Sequence, residues 1–259
     1  MKKRRIILAA VAVLLLAGCG RRQGPPKHFT HDVLNAMTPV KDQGKSQTCW
    51  AYAMLAAIET EHIGRGDSVN LSVAYIEKKL EREPAAPKSR RGMGATLLRL
   101  IERHGVVAYD AMRTVDTPAP RWVFMLGAQY TPQEFAHSVC APDEYVQLTS
   151  TDDVPYGEEV VIDQPDNWLR DRFLNIPMDS LIAKTERAVR HRHGVCWESR
   201  GHAMAIVGLA HDDHGKRYFV MKNSWGTQRP HGGLEYLSYN RFRKTTLAVE
   251  MTRDAYWGK

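Results

Sequence analysis

The sequence predicts an α+β chain in which helices come first and strands last, arranged as two lobes that face each other. Three observations carry this. Apolar residues between Thr48 and His104 recur at helical spacing, and β-branched or alternating runs from Gly194 to Met251 are separated by turn residues. An apolar fraction of 43% and a charged fraction of 25% over 259 residues are those of an ordinary globular chain, which excludes collagen, coiled coil and disorder.

The elements follow in chain order. Trp50, Ala53, Met54, Ala57 and Ile58 fall at i, i+3, i+4, i+7 and i+8, one face of a helix with Thr48 as its N-cap and an end near Gly64. Ser72 caps a second helix with Val73, Ile76 and Leu80 on one side, and Glu83-Pro84-Ala85-Ala86-Pro87 is a loop. A third helix covers about Ala95 to His104, with Leu97, Leu100 and Ile101 inward and Gly105 as its stop. Residues 106–176 are punctuated by proline and show no period, so no element is assigned there. Pro177 opens a further helix to about Arg190. Strands are expected at Gly194–Glu198, Ala203–Leu209, Arg217–Lys222, Gly233–Ser238 and Thr246–Met251, and Asp212-Asp213-His214-Gly215 is a hairpin loop.

The N-terminus reads as an address. Lys2, Lys3, Arg4 and Arg5 precede a twelve-residue apolar run, Ile6 to Ala17. A basic head, a short greasy stretch and small residues describe a secretory signal over residues 1–18, too short for a stable membrane span. Leu16-Ala17-Gly18-Cys19 resembles the bacterial lipobox, which implies a lipid on Cys19 and a membrane-anchored chain in the cell envelope, periplasmic or surface-exposed. Gly20 in place of an inner-membrane retention Asp leans this to the outer membrane. Residues 19–30, with Pro25-Pro26, are a tether, and 31–259 form the folded domain, with a helical lobe at about 31–125 and a β-rich lobe at about 126–259. The short span from Cys19 to Cys49 is expected to leave no room for an inhibitory pro-segment. The four basic head residues also supply most of the formal net charge of +7, leaving an excess of three, which argues against nucleic acid as a partner.

Cys49 opens the first helix, where unpaired N–H groups and the helix macrodipole favour a thiolate. That help matters, because an ordinary thiol with a pKa of about 8.5 is only about 3% ionised at pH 7. A lone cysteine before an apolar helix is most often a small buried hydrophobe. Three strings together say more: Gln43-Gly44-Lys45-Ser46-Gln47-Thr48-Cys49-Trp50-Ala51, then Gly201-His202-Ala203 before a strand, then Lys222-Asn223-Ser224-Trp225-Gly226 after one. In this order they resemble the cysteine, histidine and asparagine motifs of the papain-like cysteine peptidases.

The resemblance implies a papain-like two-lobe fold with a cleft between a helical and an antiparallel β lobe. It implies Cys49 as nucleophile, its thiolate paired with protonated His202, and His202 as general acid and then base. Asn223 would orient the imidazole, and the Gln43 amide with the Cys49 N–H would line an oxyanion hole. Trp225 would shield the His202–Asn223 bond and Trp50 would pack under the helix, although core packing explains both tryptophans equally well. The Cys-Gly-Ser-Cys-Trp string of common secreted members is missing, because Gln43 to Thr48 contains no cysteine. Leu71-Ser72-Val73-Ala74-Tyr75, Gly92-Met93-Gly94, His104-Gly105-Val106-Val107, Thr131-Pro132-Gln133-Glu134-Phe135, Asn175-Ile176-Pro177 and Gly201-His202-Ala203-Met204 resemble the bleomycin hydrolase (aminopeptidase C) branch. That branch implies N-terminal trimming with the chain's own C-terminus in the cleft, whereas the short tail from Thr252 to Lys259 is not expected to reach it.

Other signals are weaker. His191, His193, Cys196 and His202 follow no common zinc spacing, so no metal and no cofactor is expected. His211 and His214 read as decoration of the hairpin loop. Gly92-Met93-Gly94 lacks the lysine of a phosphate loop, and the adjacent acids Asp152-Asp153 and Glu158-Glu159 read as solvated. With Cys19 and Cys49 spoken for, Cys140 and Cys196 remain as two buried thiols or as a bridge. The expected function is a lipid-anchored thiol peptidase acting on peptides or unfolded proteins. A catalytically idle binding module and a cell-wall peptide amidase are the competing classes.

Overall fold

The computed structural model describes residues 28–125 and 127–259, so the signal segment and Cys19 lie outside the described residues. A first strand β1 (Phe29–Leu34) precedes helices α1 (Cys49–Gly64), α2 (Val73–Leu80) and α3 (Gly94–His104). The proline-punctuated stretch holds a small hairpin, β2 (Val123–Met125) and β3 (Ala128–Tyr130), then α4 (Pro132–Val139), β4 (Tyr145–Thr149), β5 (Glu159–Val161) and β6 (Arg172–Asn175). Helix α5 (Met178–Arg190) leads into β7 (Val195–Ser199), β8 (His202–Asp212), β9 (Arg217–Lys222) and β10 (Leu234–Ser238). The chain closes with α6 (Tyr239–Thr245), β11 (Thr246–Thr252) and α7 (Arg253–Trp257).

Helices therefore precede most strands, as the sequence predicts, and local chemistry explains the ends. The Ser72 hydroxyl accepts from the Tyr75 N–H at 3.1 Å, and Gly105, at φ 74°, ends α3. Thr131 and Glu134 form a reciprocal capping box that starts α4, inside a stretch where proline hides any apolar period. Thr48 sits at the N-cap of α1 without capping it: its hydroxyl donates to Glu77 Oε1 at 2.6 Å instead.

Eight strands of the main sheet follow the order β10-β9-β8-β7-β11-β4-β6-β5 and a ninth, β1, is added on β8; all pairs are antiparallel except β4–β6. The long β8 organises it. Its N-terminal half pairs with β7, its C-terminal half with β1, and β9 runs along its other edge. The chain crosses between lobes more than once. Residues 29–34 join the sheet, whereas α4, Cys140 and Tyr145 pack with α1–α3 in the helical core, so the division is not a single boundary near residue 125. A second apolar core, including Leu181, Val189, Ile206, Phe219 and Val249, fills the space between α5 and the sheet.

Helix α1 lies between these layers. An inward and an outward face were expected; instead every residue from Trp50 to His62 is buried except Tyr52. Burial of its polar residues requires partners. Glu59 accepts from Lys41 Nζ at 2.6 Å, from the Leu71 N–H at 2.7 Å and from the Thr38 hydroxyl. Glu61 takes His193 Nδ1 at 3.0 Å and the Gly194 N–H at 3.1 Å, which answers the histidine cluster with an ion pair. Burial, the largest single effect, pushes its carboxyl up, but His193, the Gly194 N–H and Arg65 together outweigh it and hold the carboxyl below the usual range.

The seam between α1 and the sheet is made of small residues. Ala56 packs with Ala205, Val207, Ala210 and Val220, and at Gly194 the backbone lies so close that a Cβ would sit 1.8 Å from the Ala57 carbonyl oxygen. Gly194→Ala must therefore push β7 off the helix. The expected loss is at least about 2 kcal/mol in denaturant unfolding, and a loss below experimental error would show that the seam tolerates separation.

Candidate active site

Cys49 is the first residue of α1, with its thiol partly exposed and Trp50 buried beneath it. The Trp50 indole N–H donates to the Arg90 carbonyl at 3.1 Å, so this tryptophan ties the helix to the loop before α3. Burial pushes the Cys49 thiol up. The Ala203 and Trp50 N–H groups turned toward the sulfur work against this, and nearby Glu198 adds to it.

His202 is the first residue of β8, and Asn223 directly follows β9, its neighbour strand. The ring Nε2 lies 3.0 Å from Asn223 Oδ1. Asn223 is 3% exposed, and its Nδ2 donates to Glu235 Oε1 at 2.5 Å, which fixes the amide with its oxygen toward the ring. The hydrogen-bond network thus assigns the imidazole proton to Nε2 and leaves Nδ1 as the free nitrogen. Burial lowers the His202 pKa, while Asn223 and Glu235 act in the opposite direction. The Trp225 ring stacks on His202 with centroids 4.9 Å apart and is 40% exposed, so it covers the polar pair and faces solvent.

Gln43 reaches the same place through backbone pairing. Its N–H donates to the Ser224 carbonyl at 2.8 Å, and Asp42 bridges to Trp225. The Ser224 hydroxyl donates to Gln43 Oε1 at 2.5 Å while the Ser224 N–H donates to Asn223 Oδ1 at 2.8 Å. One Nε2 hydrogen of Gln43 goes to the Ser46 carbonyl at 2.6 Å, leaving the other as a donor.

Gln43, Cys49, Trp50, His202 and Trp225 line one cavity of about 370 Å³. A groove of about 870 Å³ continues from it on the far side of His202 and Trp225, toward Glu235 and Arg241. No residue after Leu247 lines either space: Lys184 and Arg187 hold α7 through the Tyr256 carbonyl, at 3.0 and 2.7 Å. The structure thus brings Gln43, Cys49, Trp50, His202, Asn223 and Trp225 to one place. A thiol, an imidazole with a fixed tautomer and a spare amide donor at a groove can carry out acyl transfer. Ser224 and Glu235 were missed. Ser224 stands inside the quoted Asn-Ser-Trp string, whereas Glu235 has no local signal because strand pairing alone brings it to Asn223. Cys140 and Cys196 are separate buried thiols, with no bridge between them. His211 lies in β8, 2.9 Å from Asp32 Oδ1, and not in the hairpin loop.

Comparison with known proteins follows the geometry. The profile of the papain family cysteine proteases matches residues 26–255. A cysteine proteinase of Theileria parva is 23% identical over 222 residues, 83% of this chain and 43% of its own length. Ananain of Ananas comosus is 24% identical over 76% of this chain and 51% of its own. The chain spans about half the length of the curated relatives it matches. Among solved structures, pepw from Lactobacillus rhamnosis aligns with a TM-score of 0.67 at 16% identity, covering 87% of this chain and 82% of that one. The bromelain protease of Ananas comosus aligns at 0.50 and 17% identity, covering 84% and 94%. With its helical layers, large and mostly antiparallel sheet, and matching profile over nearly all of the folded region, this chain belongs to the papain family of cysteine proteases.

Proposed function

We propose that this chain is a thiol peptidase that hydrolyses peptides or unfolded proteins, exported to the bacterial cell envelope and anchored there by lipid on Cys19. The observation that carries the peptidase reading is the convergence of Cys49, at the N-terminus of α1, with the His202–Asn223 pair on one cavity. In this reading the Cys49 sulfur attacks the scissile carbonyl carbon and its proton passes to His202. His202 then protonates the departing amine as the C–N bond breaks, leaving a thioester on Cys49. Water attacks the thioester, gives a proton to His202 and releases the carboxylic acid, and the proton returns to Cys49. The free Nε2 hydrogen of Gln43 and the Cys49 N–H stabilise the oxyanion, a contribution of about 3 kcal/mol for such a donor.

Asn223, Glu235 and Trp225 are positioning groups. They hold the imidazole with Nδ1 free and keep water from the bond on Nε2. The motifs shared with the bleomycin hydrolase branch support a kinship there, but the seat of α7 against α5 supports cleavage inside chains. The signal-like head and the lipobox-like string support export and anchoring; globomycin-sensitive processing and labelling of Cys19 by radioactive palmitate test them.

Cys49→Ser is expected to reduce peptide cleavage at least about a thousandfold with an unchanged melting temperature. Cleavage at the parent rate would refute the reading. Mass analysis of products from a peptide library should show internal cuts, and stepwise removal of N-terminal residues alone would assign the enzyme to the trimming branch. Glu235→Gln removes the negative charge that opposes the lowering of the His202 pKa. An NMR titration of the His202 ring should therefore give a lower midpoint than in the parent, and an unchanged or higher midpoint contradicts the role given to Glu235.

A further inference from the structure

The cavity beside Cys49 has a wall that the mechanism does not use. Glu198 lines it, 3% exposed, on the same face of β7 as Cys196. Glu250 of β11 stands opposite Cys196 in the register and is 0% exposed. The Cys196 sulfur and an oxygen of each carboxyl lie within 4.8 Å of one another. Both carboxyls converge on the start of α3. The Gly94 N–H donates to Glu198 Oε1 at 2.5 Å, and a Cβ on Gly94 would stand 2.9 Å from Glu250 Oε2.

Two buried carboxyls this close require either protons or a cation. Among the described residues no backbone N–H and no basic side chain reaches a Glu250 oxygen; its near neighbours are the Glu198 carboxyl and the Cys196 thiol. The surrounding charges do not supply a free cation. Arg91, in the same cavity wall, is taken by Asp166 in a two-pronged pair at 2.8 and 3.0 Å. Asp171, near Glu250, is paired with Arg99 at 2.9 Å, and the remaining neighbours are the thiols of Cys49 and Cys196. Burial, the larger cause, holds both carboxyls above the usual carboxylate range; the Glu198 charge adds to it at Glu250, and Asp166 adds to it at Glu198.

We propose that Glu198, backed by Glu250, is a specificity-determining residue of the cleft and selects peptides with a lysine or arginine side chain beside the bond to be cut. Glu198 alone of the cluster reaches the cavity, so an ammonium or guanidinium carried by a bound peptide meets it while Glu250 and Cys196 stay enclosed. A metal ion would have to shed most of its water to reach Cys196 and Glu250, which lie behind that wall. The basic side chain instead keeps its stem against the apolar Met93 and Leu247 and brings only its charged end to the carboxylate. The preference depends on pH in a defined sense. At acid pH the carboxyls carry protons, the wall is neutral and the selection disappears; as pH rises Glu198 ionises and the selection grows.

This inference rests on the peptidase reading for its biological meaning, but its test does not need cleavage. Peptides identical except for lysine or norleucine, walked through the positions flanking a central bond, are titrated into the lipid-free Cys49→Ala protein. At one position lysine should bind about tenfold tighter at roughly pH 8, with the ratio falling toward one near pH 5. In Cys49→Ala/Glu198→Gln the ratio should be near one at both pH values. In Cys49→Ala/Glu250→Gln it should persist, because Glu198 alone of the cluster reaches the cavity. Equal binding at every position, a preference that survives Glu198→Gln, or one tightly held divalent ion per chain in metal analysis would each overturn the proposal. A parent enzyme that cleaves no peptide would instead refute the peptidase reading and leave the binding ratio standing.

Discussion

The seat of α1 on the sheet is the constraint on which the rest depends. A helix normally stands about 10 Å from a strand layer because side chains fill the gap. Here Ala53, Ala56 and Ala57 on the helix meet Ala203 and Ala205 on β8 and Gly194 just before β7, so the two backbones come close. The first residue of the helix and the first residue of β8 then line one cavity, and those residues are Cys49 and His202. The candidate nucleophile thus stands on a helix end and not on a loop.

Two hydrogen-bond systems secure the arrangement. On the groove side, Gln43, Ser224, Asn223, His202 and Glu235 form an unbroken relay that ties the loop before α1 to three strands. Below it, Lys222 Nζ donates to Thr38 at 2.7 Å and lies 3.9 Å from Glu59, which also holds Lys41 and the Leu71 N–H. Burial brings the Lys222 ammonium down to about 8, a measure of how dry this region is. The lower network flanks the relay in sequence, with Lys41 beside Asp42-Gln43 and Lys222 beside Asn223. Groups that are fully partnered in this way rigidify a site, whereas removing one member leaves the others buried and unanswered.

Much of this was legible in the sequence, and the failures have physical causes. The strands Arg217–Lys222 and Thr246–Thr252 and the helices at Ser72 and Pro177 carried strong local signals of alternation, capping and proline. Strand β1 did not: Phe29–Leu34 is mostly exposed and is a strand because the far end of β8 offers it an edge. Elements of three to five residues between 123 and 175 are shorter than the window in which a period can be seen. Helix α1 was located correctly but read as amphipathic, because periodicity reports one buried face and is silent about a second partner. At the site, Cys49, His202, Asn223 and Gln43 stood in recognisable strings. Glu198 and Glu235 became visible only through strand register, which places them beside residues far away in sequence.

The central claim is that the Cys49 sulfur and the His202 imidazole titrate and react as one unit. The rate of Cys49 alkylation by iodoacetamide as a function of pH tests this directly, in the parent and in His202→Ala. The account predicts that the parent reacts rapidly at neutral pH, with a plateau reached well below the ordinary thiol range of about 8.5. In His202→Ala the rise should move to above that range, because burial already pushes the Cys49 thiol up and no imidazolium is then present to offset it. Superimposable profiles that both rise only at alkaline pH would contradict it.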